Sequence, residues 1–231
     1  PVARRIWKHR LQSCALSSLE TEVLGVRRTH ADVPGWLIPG LYAEYTRSGD
    51  AREIARVFYH NAQDILSLVT LAARQSGLLT MSLPADGSLP GEDLYGLGRL
   101  LHDLGQSGRA ESAYVRAAQT CRSSQVRELA MRDLAYLLKR RGQRGQALPW
   151  WRQLVDNSGA VYASEELAKY YEWHDEDLAQ AVVWTQQGLA LAGGWPPSSK
   201  RGQALADLNH RLERLKRKIE AGSPEDESPA G

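Results

Sequence analysis

Apolar residues recur at helical spacing along most of this chain, and no stretch alternates convincingly as a half-buried strand would. In the amino-terminal third, Pro39 suits the first turn of a helix that ends at Ser48-Gly49-Asp50. Asn61, followed by the apolar segment 65–71, predicts the start of an amphipathic helix that ends near Gly77. The pattern therefore predicts a mostly α-helical chain.

Polar and turn-forming residues define three further segments. Ser17 and Glu20 have the spacing of a capping box, which marks the start of a helix. Residues 81–91 contain Pro, Gly and Ser at high density and predict a linker between two domains. The tail at residues 221–231 is acidic and offers no large apolar residue to bury, so we expect it to be disordered.

Beyond the linker, one pattern of small, turn-forming and aromatic residues occurs three times. The repeated positions are Gly98, Gly105, Ala110 and Tyr114, then Ala135, Gly142, Ala147 and Trp151, then Ala168, Ala181 and Gly188. The small positions 98, 135 and 168 are 37 and 33 residues apart, which brackets the period of about 34 of tetratricopeptide repeats. Residues 92–195 therefore resemble a tetratricopeptide-like α-solenoid of helical hairpins, whose concave groove is expected to bind a protein segment.

The last predicted helix, residues 200–220, carries a narrow stripe of apolar residues. The stripe consists of Leu205, Leu208, Leu212, Leu215 and Ile219. Such a stripe suits a helix that covers the last exposed face of a solenoid, and it also suits the seam of a coiled-coil dimer. We favour the capping helix because it follows the repeats directly.

Aromatic pairs in the repeats have two interpretations, because they can pack in the core or stack on nucleic-acid bases. Trp151 falls on the packing position of its repeat, and we interpret Trp173 and Trp184 as core residues in the same way. In the pair Tyr170-Tyr171 we expect one buried ring and one ring that faces the groove.

Composition excludes several classes of protein. The 231 residues are 42% hydrophobic and 24% charged, which is ordinary for a soluble domain. No apolar run approaches the roughly 18 to 20 residues that cross a bilayer, so we expect no membrane partner. Cys14 and Cys121 lie 107 residues apart without a CxxC motif, which argues against a zinc site and a disulfide framework. We expect a cytoplasmic protein, and since Pro1 is not an initiator Met, we expect a fragment or a processed chain.

Charge adds little to this picture. The net charge is +2, with basic residues concentrated in residues 1–30 and in the last predicted helix. A basic face can bind phosphates, but solvated helix faces carry such charges routinely, and the sequence leaves both interpretations open.

The pair His60 and Asp64 carries the most specific chemistry. A spacing of four places an imidazole and a carboxylate one helical turn apart, where they can bind a divalent cation and take the proton of an activated water. Without further context, an acid near a helix start is more commonly solvated than catalytic. Neighbouring Asn61 either hydrogen-bonds across the site or caps the helix.

Residues around this pair resemble the carboxyl-terminal part of the YprB-like ribonuclease H-like domain, a family of the DnaQ-like exonuclease superfamily. The matching residues are Leu19-Glu20-Thr21-Glu22-Val23-Leu24-Gly25, Asp32-Val33-Pro34-Gly35, Ile38-Pro39, Tyr42, Tyr45, Gly49-Asp50 and the block around His60. The resemblance covers residues 14–79 and implies that residues 1–80 are the helical end of an α/β domain whose sheet lies upstream.

The resemblance also implies an activity and a set of roles. Such proteins hydrolyse phosphodiester bonds at the 3′ end of DNA or RNA with two Mg²⁺ or Mn²⁺ ions, held by four carboxylates. Asp64 would be the last metal ligand and His60 the catalytic group that positions or deprotonates the water, with Tyr59 and Asn61 as possible support. Tyr59 occupies the place of His in the His-type members, and His60 occupies the place of Tyr in the Tyr-type members.

The family's first motif, an Asp-x-Glu pair on a strand, has no counterpart before His60, and neither has its second-motif Asp. Asp32 and Asp50 lie beside Pro and Gly and are expected to shape turns. Because one carboxylate cannot hold two divalent ions, we expect this chain to be inactive by itself. Two functions remain: the carboxyl-terminal part of a metal-dependent 3′-5′ exonuclease, or a non-catalytic adaptor whose repeats bind a protein.

Overall fold

The computed structural model of this chain describes residues 2–28, 33–81, 83–84 and 87–222. Asp32 and the tail from residue 223 therefore lie outside the described residues. The helices are α1 Val2–Trp7, α2 Leu16–Leu19, α3 Ile38–Ser48, α4 Arg52–Thr80, α5 Gly91–Asp103, α6 Ser107–Thr120, α7 Ser124–Arg140, α8 Arg144–Ser158, α9 Val161–Trp173, α10 Leu178–Gly193 and α11 Ser199–Gly222. No described residue lies in a strand, which confirms the mostly α-helical prediction.

The amino-terminal helices differ from the sequence prediction in where they begin. Helix α4 begins at Arg52, nine residues before the predicted start at Asn61. The reason is local: Asp50 Oδ1 accepts a hydrogen bond from the Arg52 backbone N at 3.1 Å and so starts the helix directly after the turn. Helix α3 ends as predicted, with Gly49 at φ 73°.

The predicted capping box at Ser17 and Glu20 is wrong. Ser17 lies inside α2, and Ala15 precedes that helix without a side-chain cap. The chain continues from α2 into a π-helical turn, Glu20–Leu24. The side chain of Glu20 is buried and turns away from the backbone to bind Arg28.

Packing divides the chain into two compact units, Pro1–Cys121 and Arg122–Gly231. The boundary differs from the predicted linker, because the hairpin α5–α6 packs with the amino-terminal helices. Helix α1 lies against α5 so closely that a Cβ at Gly96 would stand 2.2 Å from the Ile6 carbonyl oxygen. Glycine is the one residue that permits this approach.

Polar contacts strengthen the same connection within the first unit. The Arg10 Nε donates a hydrogen bond to Asp93 Oδ1 at 2.8 Å, and the Asp93 side chain is almost fully buried. Arg109 on α6 donates from Nη2 to the carbonyl oxygens of Leu78 at 3.0 Å and Met81 at 2.6 Å. These bonds satisfy carbonyls at the end of α4, which the helix itself leaves without donors.

The hairpin α5–α6 has the predicted close contact between its two helices. A Cβ at Gly98 would lie 2.8 Å from ring carbons of Tyr114, and Tyr114 is buried. Gly105 makes the turn with φ 75°. The small residue, the turn glycine and the packing aromatic therefore act as the repeat pattern predicts.

The second unit contains the hairpins α7–α8 and α9–α10. Ala135 and Ala168 are fully buried, and Trp151 is 2% exposed, which confirms Trp151 as a core residue. Gly142 makes the first turn with φ 77°. In the second turn Glu176 takes φ 55° where the other hairpins have Gly, and the third repeat has one residue more between Ala168 and Ala181 than the first two repeats have between the corresponding positions. The chain thus contains tetratricopeptide-like helical hairpins.

Helix α11 packs along α10 and closes the second unit. Its residues Leu208 and Leu215 are 1% and 0% exposed, whereas Ile219 is 39% exposed. The middle of the apolar stripe is thus covered within the chain.

Candidate functional site

His60 and Asp64 lie in the middle of α4, rather than at its start as the sequence predicted. Four residues apart, they face the same side of the helix. The His60 Nε2 and the Asp64 Oδ2 are 3.4 Å apart, and both side chains are partly buried, with 26% and 32% of their surface exposed. The structure therefore brings together the two residues that the sequence selected.

A third residue, Arg28, joins this pair to the amino-terminal segment. Its Nη2 donates to Asp64 Oδ1 at 2.5 Å, and its Nη1 lies 2.6 Å from His60 Nδ1. The same guanidinium makes a bidentate pair with Glu20, from Nε to Oε2 and from Nη2 to Oε1, each at 2.7 Å. We call Glu20, Arg28, His60 and Asp64 the α4 cluster.

Arg28 sets the hydrogen-bond roles within the α4 cluster. A guanidinium can only donate hydrogen bonds, so His60 Nδ1 accepts, and the neutral imidazole then carries its proton on Nε2, facing Asp64. Glu20 is buried, with 2% of its side chain exposed, and Arg28 is 16% exposed. Burial at this depth is tolerated because the bidentate pair compensates the carboxylate.

The described residues do not by themselves fit a divalent metal site. Nowhere in the described ranges do three or more His, Cys, Asp or Glu side chains converge to hold a metal ion. The cation that Asp64 holds is the Arg28 guanidinium. Mg²⁺ and Mn²⁺ require several oxygen ligands, so a metal site here needs carboxylates from beyond these residues.

The two supporting candidates lie outside the α4 cluster. Asn61 is exposed in the helix interior, which excludes the predicted capping role. Tyr59 is 44% exposed, and since successive helical residues are rotated by about 100°, it faces a different side from His60. Sequence reasoning missed Glu20 as a binding partner and missed Arg28 entirely. Glu20 stands within the matched motif, whereas Arg28 has no sequence signal.

Next to the α4 cluster, α3, α4 and the 3-10 turn Gly35–Leu37 before α3 expose many large apolar side chains. Those more than half exposed are Trp36, Tyr42, Phe58, Ile65, Leu66, Leu68 and Val69. Of the large apolar residues in segment 65–71, only Leu71 is buried, at 3% exposed. The side of α4 that packs inside this chain is instead the partly polar one that carries the α4 cluster, Ser67 and Leu71. Apolar surfaces of this extent usually mark an interaction site.

Aromatic residues of the second unit follow the prediction only in part. Tyr171 is buried and Tyr170 lines a pocket, as expected, and Trp184 packs half-buried against the core near Leu215. Trp173 is 57% exposed, so its assignment to the core is wrong. It ends α9, where no further helical turn covers it.

Comparison with known proteins finds that the first region is similar to one superfamily. Residues 2–75 match the family model RNase_H_2, which is described as RNase_H superfamily. The chain is also 30% identical over 221 residues to the uncharacterized protein YprB of Bacillus subtilis (strain 168), across 94% of this chain and 51% of that protein. This chain thus spans about half the length of that relative.

One solved structure has a weak similarity to this chain. The crystal structure of PcrH from Pseudomonas aeruginosa covers 58% of this chain and 95% of its own, with a TM-score of 0.44 and 18% identity. Among the described residues, no helix is long and apolar enough to span a membrane.

Proposed function

We propose, from the premise that its amino-terminal region is ribonuclease H-like, that this chain forms the carboxyl-terminal part of a metal-dependent 3′-5′ exonuclease. The substrate is the 3′ end of DNA or RNA, and the reaction is phosphodiester hydrolysis. Asp64 contributes one ligand for Mg²⁺ or Mn²⁺, and His60 positions or deprotonates the attacking water. Carboxylates outside the described residues complete the site.

The exposed apolar face of α3 and α4 carries this proposal. A ribonuclease H-like domain is built on a sheet, and no described residue of this chain lies in a strand. Phe58, Ile65 and Val69 are all more than half exposed on one side of α4. Burying such a face against a sheet yields about 25 cal/mol for each Å² of apolar surface. The missing carboxylates would come from the same upstream α/β layer.

The α4 cluster supports the roles of His60 and Asp64 within that domain. Arg28 holds Asp64 in place while no other cation binds it. Both ring nitrogens of His60 have partners in this chain, Arg28 at Nδ1 and Asp64 at Nε2, so His60 would accept a proton only after a metal ion displaces Arg28 and frees Nδ1. General bases are oriented by such partners.

The coding sequence directly upstream of this chain provides the test. A strand that ends in Asp-x-Glu would supply the absent ligands, and the protein that includes it should shorten a 5′-labelled single strand from its 3′ end when Mg²⁺ is added. Asp64→Asn should abolish this activity, and His60→Gln should reduce it by at least tenfold. Tyr59→Phe, which faces a different side of α4 from His60, is the matched control and should retain activity. If Tyr59→Phe were the most damaging change, the assignment of His60 would be wrong.

A non-catalytic adaptor is the second candidate function, and the helical hairpins favour it because such repeats commonly bind protein segments in their groove. An upstream sequence without the acidic motif, together with an inactive longer protein, would select the adaptor. For either function we propose a cytoplasmic location, since neither Cys14 nor Cys121 is in a disulfide.

A further inference from the structure

A pocket of about 300 Å³ opens within the second unit, between α7, α8, α9 and α11. Its charged lining is strongly unbalanced. Five cations line it, namely Lys139, Arg144, Lys169, Arg211 and Arg214, against the single carboxylate of Glu166. We call it the basic pocket. Its volume is at the lower end of small-ligand sites, which hold roughly 300 to 1,000 Å³.

A buried carboxylate fixes the cations of α11 beside this pocket. The side chain of Glu172 is fully buried and accepts hydrogen bonds from Arg211 at 2.8 Å, Arg214 at 2.7 Å and Lys218 at 2.7 Å. Burial raises the pKa of Glu172, but the hydrogen bonds from Arg214 and Lys218 outweigh it and hold this pKa below its usual value. Three cations around one carboxylate leave two positive charges without compensation at this wall.

The part of the lining around Glu166 is more nearly balanced. Glu166 pairs with both Lys139 and Lys169, and Lys169 also lies 3.9 Å from Glu165. Arg144 is exposed at the pocket edge and has no carboxylate partner among the described residues. Anions gain most from cations that are already held in position, because little side-chain entropy is then lost on binding.

Aromatic rings lie among these cations. Trp173 is 57% exposed, and the Lys218 Nζ stands 3.9 Å from the centre of its ring. The rings of Tyr170 and His174 line the same pocket, with centroids 5.9 Å apart. Exposed aromatic rings beside fixed cations are the arrangement that binds single strands, in which bases stack on rings and cations track the phosphates.

We infer that the basic pocket binds a single-stranded nucleic acid, with a base against Trp173 and the adjoining phosphates at Arg144, Lys169 and the cations of α11. This inference rests on the proposed nuclease function, since it places a second contact for the strand within the same chain. An acidic peptide shares the charge but has no flat base to cover an exposed indole. The expected role is to hold the strand, not to cut it.

The second unit contains a control for this site. Trp195 lies under a lysine as well, with the Lys200 Nζ 5.2 Å from its ring centre. The pocket around Trp195 is acidic, because Glu128, Glu165 and Asp207 line it with Lys200. Trp195→Ala thus removes an indole with a cation above it from a place where a phosphate strand is repelled.

The experiment measures binding of a fluorescein-labelled oligothymidine to the full chain by anisotropy, without divalent metal. Trp173→Ala should weaken binding by about five- to one-hundred-fold, the range of stacking on one aromatic ring. An abasic strand of equal length should bind the unchanged protein about as weakly as oligothymidine binds the Trp173→Ala variant. Trp173→Ala should not weaken the binding of the abasic strand any further. Arg144→Ala should lower the slope of log K against log salt by about 0.7, as the loss of one phosphate contact does. Trp195→Ala and Arg217→Ala, which is exposed and outside the pocket, should change neither quantity.

Two results would overturn the inference. The first is that the protein binds the oligonucleotide but neither Trp173→Ala nor Arg144→Ala changes the affinity. Another surface would then hold the strand, and the proposed nuclease function would be unaffected. The other is tight binding of an acidic peptide such as tetraglutamate, lost with Arg144→Ala, without binding of the oligonucleotide. Failure of the nuclease proposal is separate, because it is read from hydrolysis and from Asp64→Asn, which should leave strand binding in the basic pocket intact. Circular dichroism melts should confirm that each variant is folded.

Discussion

The guanidinium of Arg28 donates a hydrogen bond of 2.5 Å to the carboxylate of Asp64, across 36 residues of sequence. Because the same guanidinium also binds Glu20 in bidentate form, it fastens the amino-terminal segment to the middle of α4. Within this chain, Arg28 provides the positive charge that a metal ion would provide in an assembled nuclease. Arg28 thereby stabilises the first unit and also binds Asp64, the carboxylate proposed as a metal ligand.

Removal of Arg28 should destabilise the chain because it leaves the buried Glu20 without its partner. For Arg28→Met we expect a loss of about 3 kcal/mol in the free energy of unfolding, the usual range for breaking a buried ion pair. Urea denaturation at pH 7 measures it. Arg27→Met, one residue earlier on an exposed side chain, should cost less than about 0.5 kcal/mol.

A double variant separates the ion pair from general damage. If Glu20 and Arg28 interact as described, Glu20→Gln with Arg28→Met should cost clearly less than the sum of the two single changes. Strict additivity would mean that the two side chains do not stabilise each other.

The chain by itself should neither bind metal tightly nor cut nucleic acid. Asp64 is held by Arg28, and the described residues offer no cluster of three ligands. A Mn²⁺ titration monitored by electron paramagnetic resonance should therefore show no saturable binding site with micromolar affinity. A 5′-labelled single strand incubated with the chain and Mg²⁺ should remain intact. Degradation that Asp64→Asn abolishes would contradict both expectations.

The sequence predicted the identity of the helices better than their environment. The turn at Gly49 and the buried positions Ala135 and Ala168 follow from local rules of turn chemistry and repeat spacing, and both were found as predicted. The exposed face of α4 could not be predicted, because an apolar stripe indicates that a face is buried but not which polypeptide buries it. Arg28 was missed because nothing in its neighbouring residues reveals a partner 36 positions away.

Two identical substitutions on α4 distinguish its inner side from its exposed face. Leu71 is 3% exposed and Leu68 is 56% exposed. Leu71→Ala should therefore cost about 2 to 5 kcal/mol of unfolding free energy through lost contacts and a cavity. Leu68→Ala should cost less than about 0.5 kcal/mol in this chain, and it should reduce the binding of a hydrophobic dye to the native protein.

The same pair of variants tests the origin of the exposed face. In a longer protein that includes the sheet, Leu68→Ala should become nearly as costly as Leu71→Ala. A cost that stays small there would show that the sheet does not cover this side of α4.

Acid should weaken the second unit through Glu172. The pKa of this carboxyl is held below its ordinary value of 4.5, so its contribution to stability is fully present above about pH 4.5 and is lost as the pH falls through the lower folded value. Glu172→Gln should cost about 3 kcal/mol at pH 7, because three cations lose a buried partner. The difference between the two proteins should shrink below pH 4.5.

A control for Glu172 lies on α11. Glu213 is 66% exposed and pairs with Lys216 at 3.2 Å, so Glu213→Gln should cost no more than about 1 kcal/mol. Equal pH profiles for the two variants would refute the role given to Glu172.

Three glycines of α5 and α6 give a graded test of how closely the first unit is packed. A Cβ at Gly96 would meet the Ile6 carbonyl oxygen at 2.2 Å, and a Cβ at Gly98 would meet the Tyr114 ring at 2.8 Å, whereas Gly108 has no neighbour within 4 Å. The backbone of α1 cannot move aside as a tyrosine ring can. Gly96→Ala should therefore cost about 3 kcal/mol and Gly98→Ala about 1 kcal/mol, within the usual range for overpacking.

Gly108→Ala should instead stabilise the chain by about 0.5 to 1 kcal/mol, because alanine loses less backbone entropy in a helix. Thermal melts of the three variants should rank in that order, with Gly96→Ala lowest. The ranking also decides where the chain can be divided. If the α1–α5 contact is as close as Gly96 indicates, a fragment that begins at residue 92 lacks a partner for α5 and should melt well below the full chain. A Gly96→Ala variant as stable as the unchanged protein would show instead that α5 does not depend on α1.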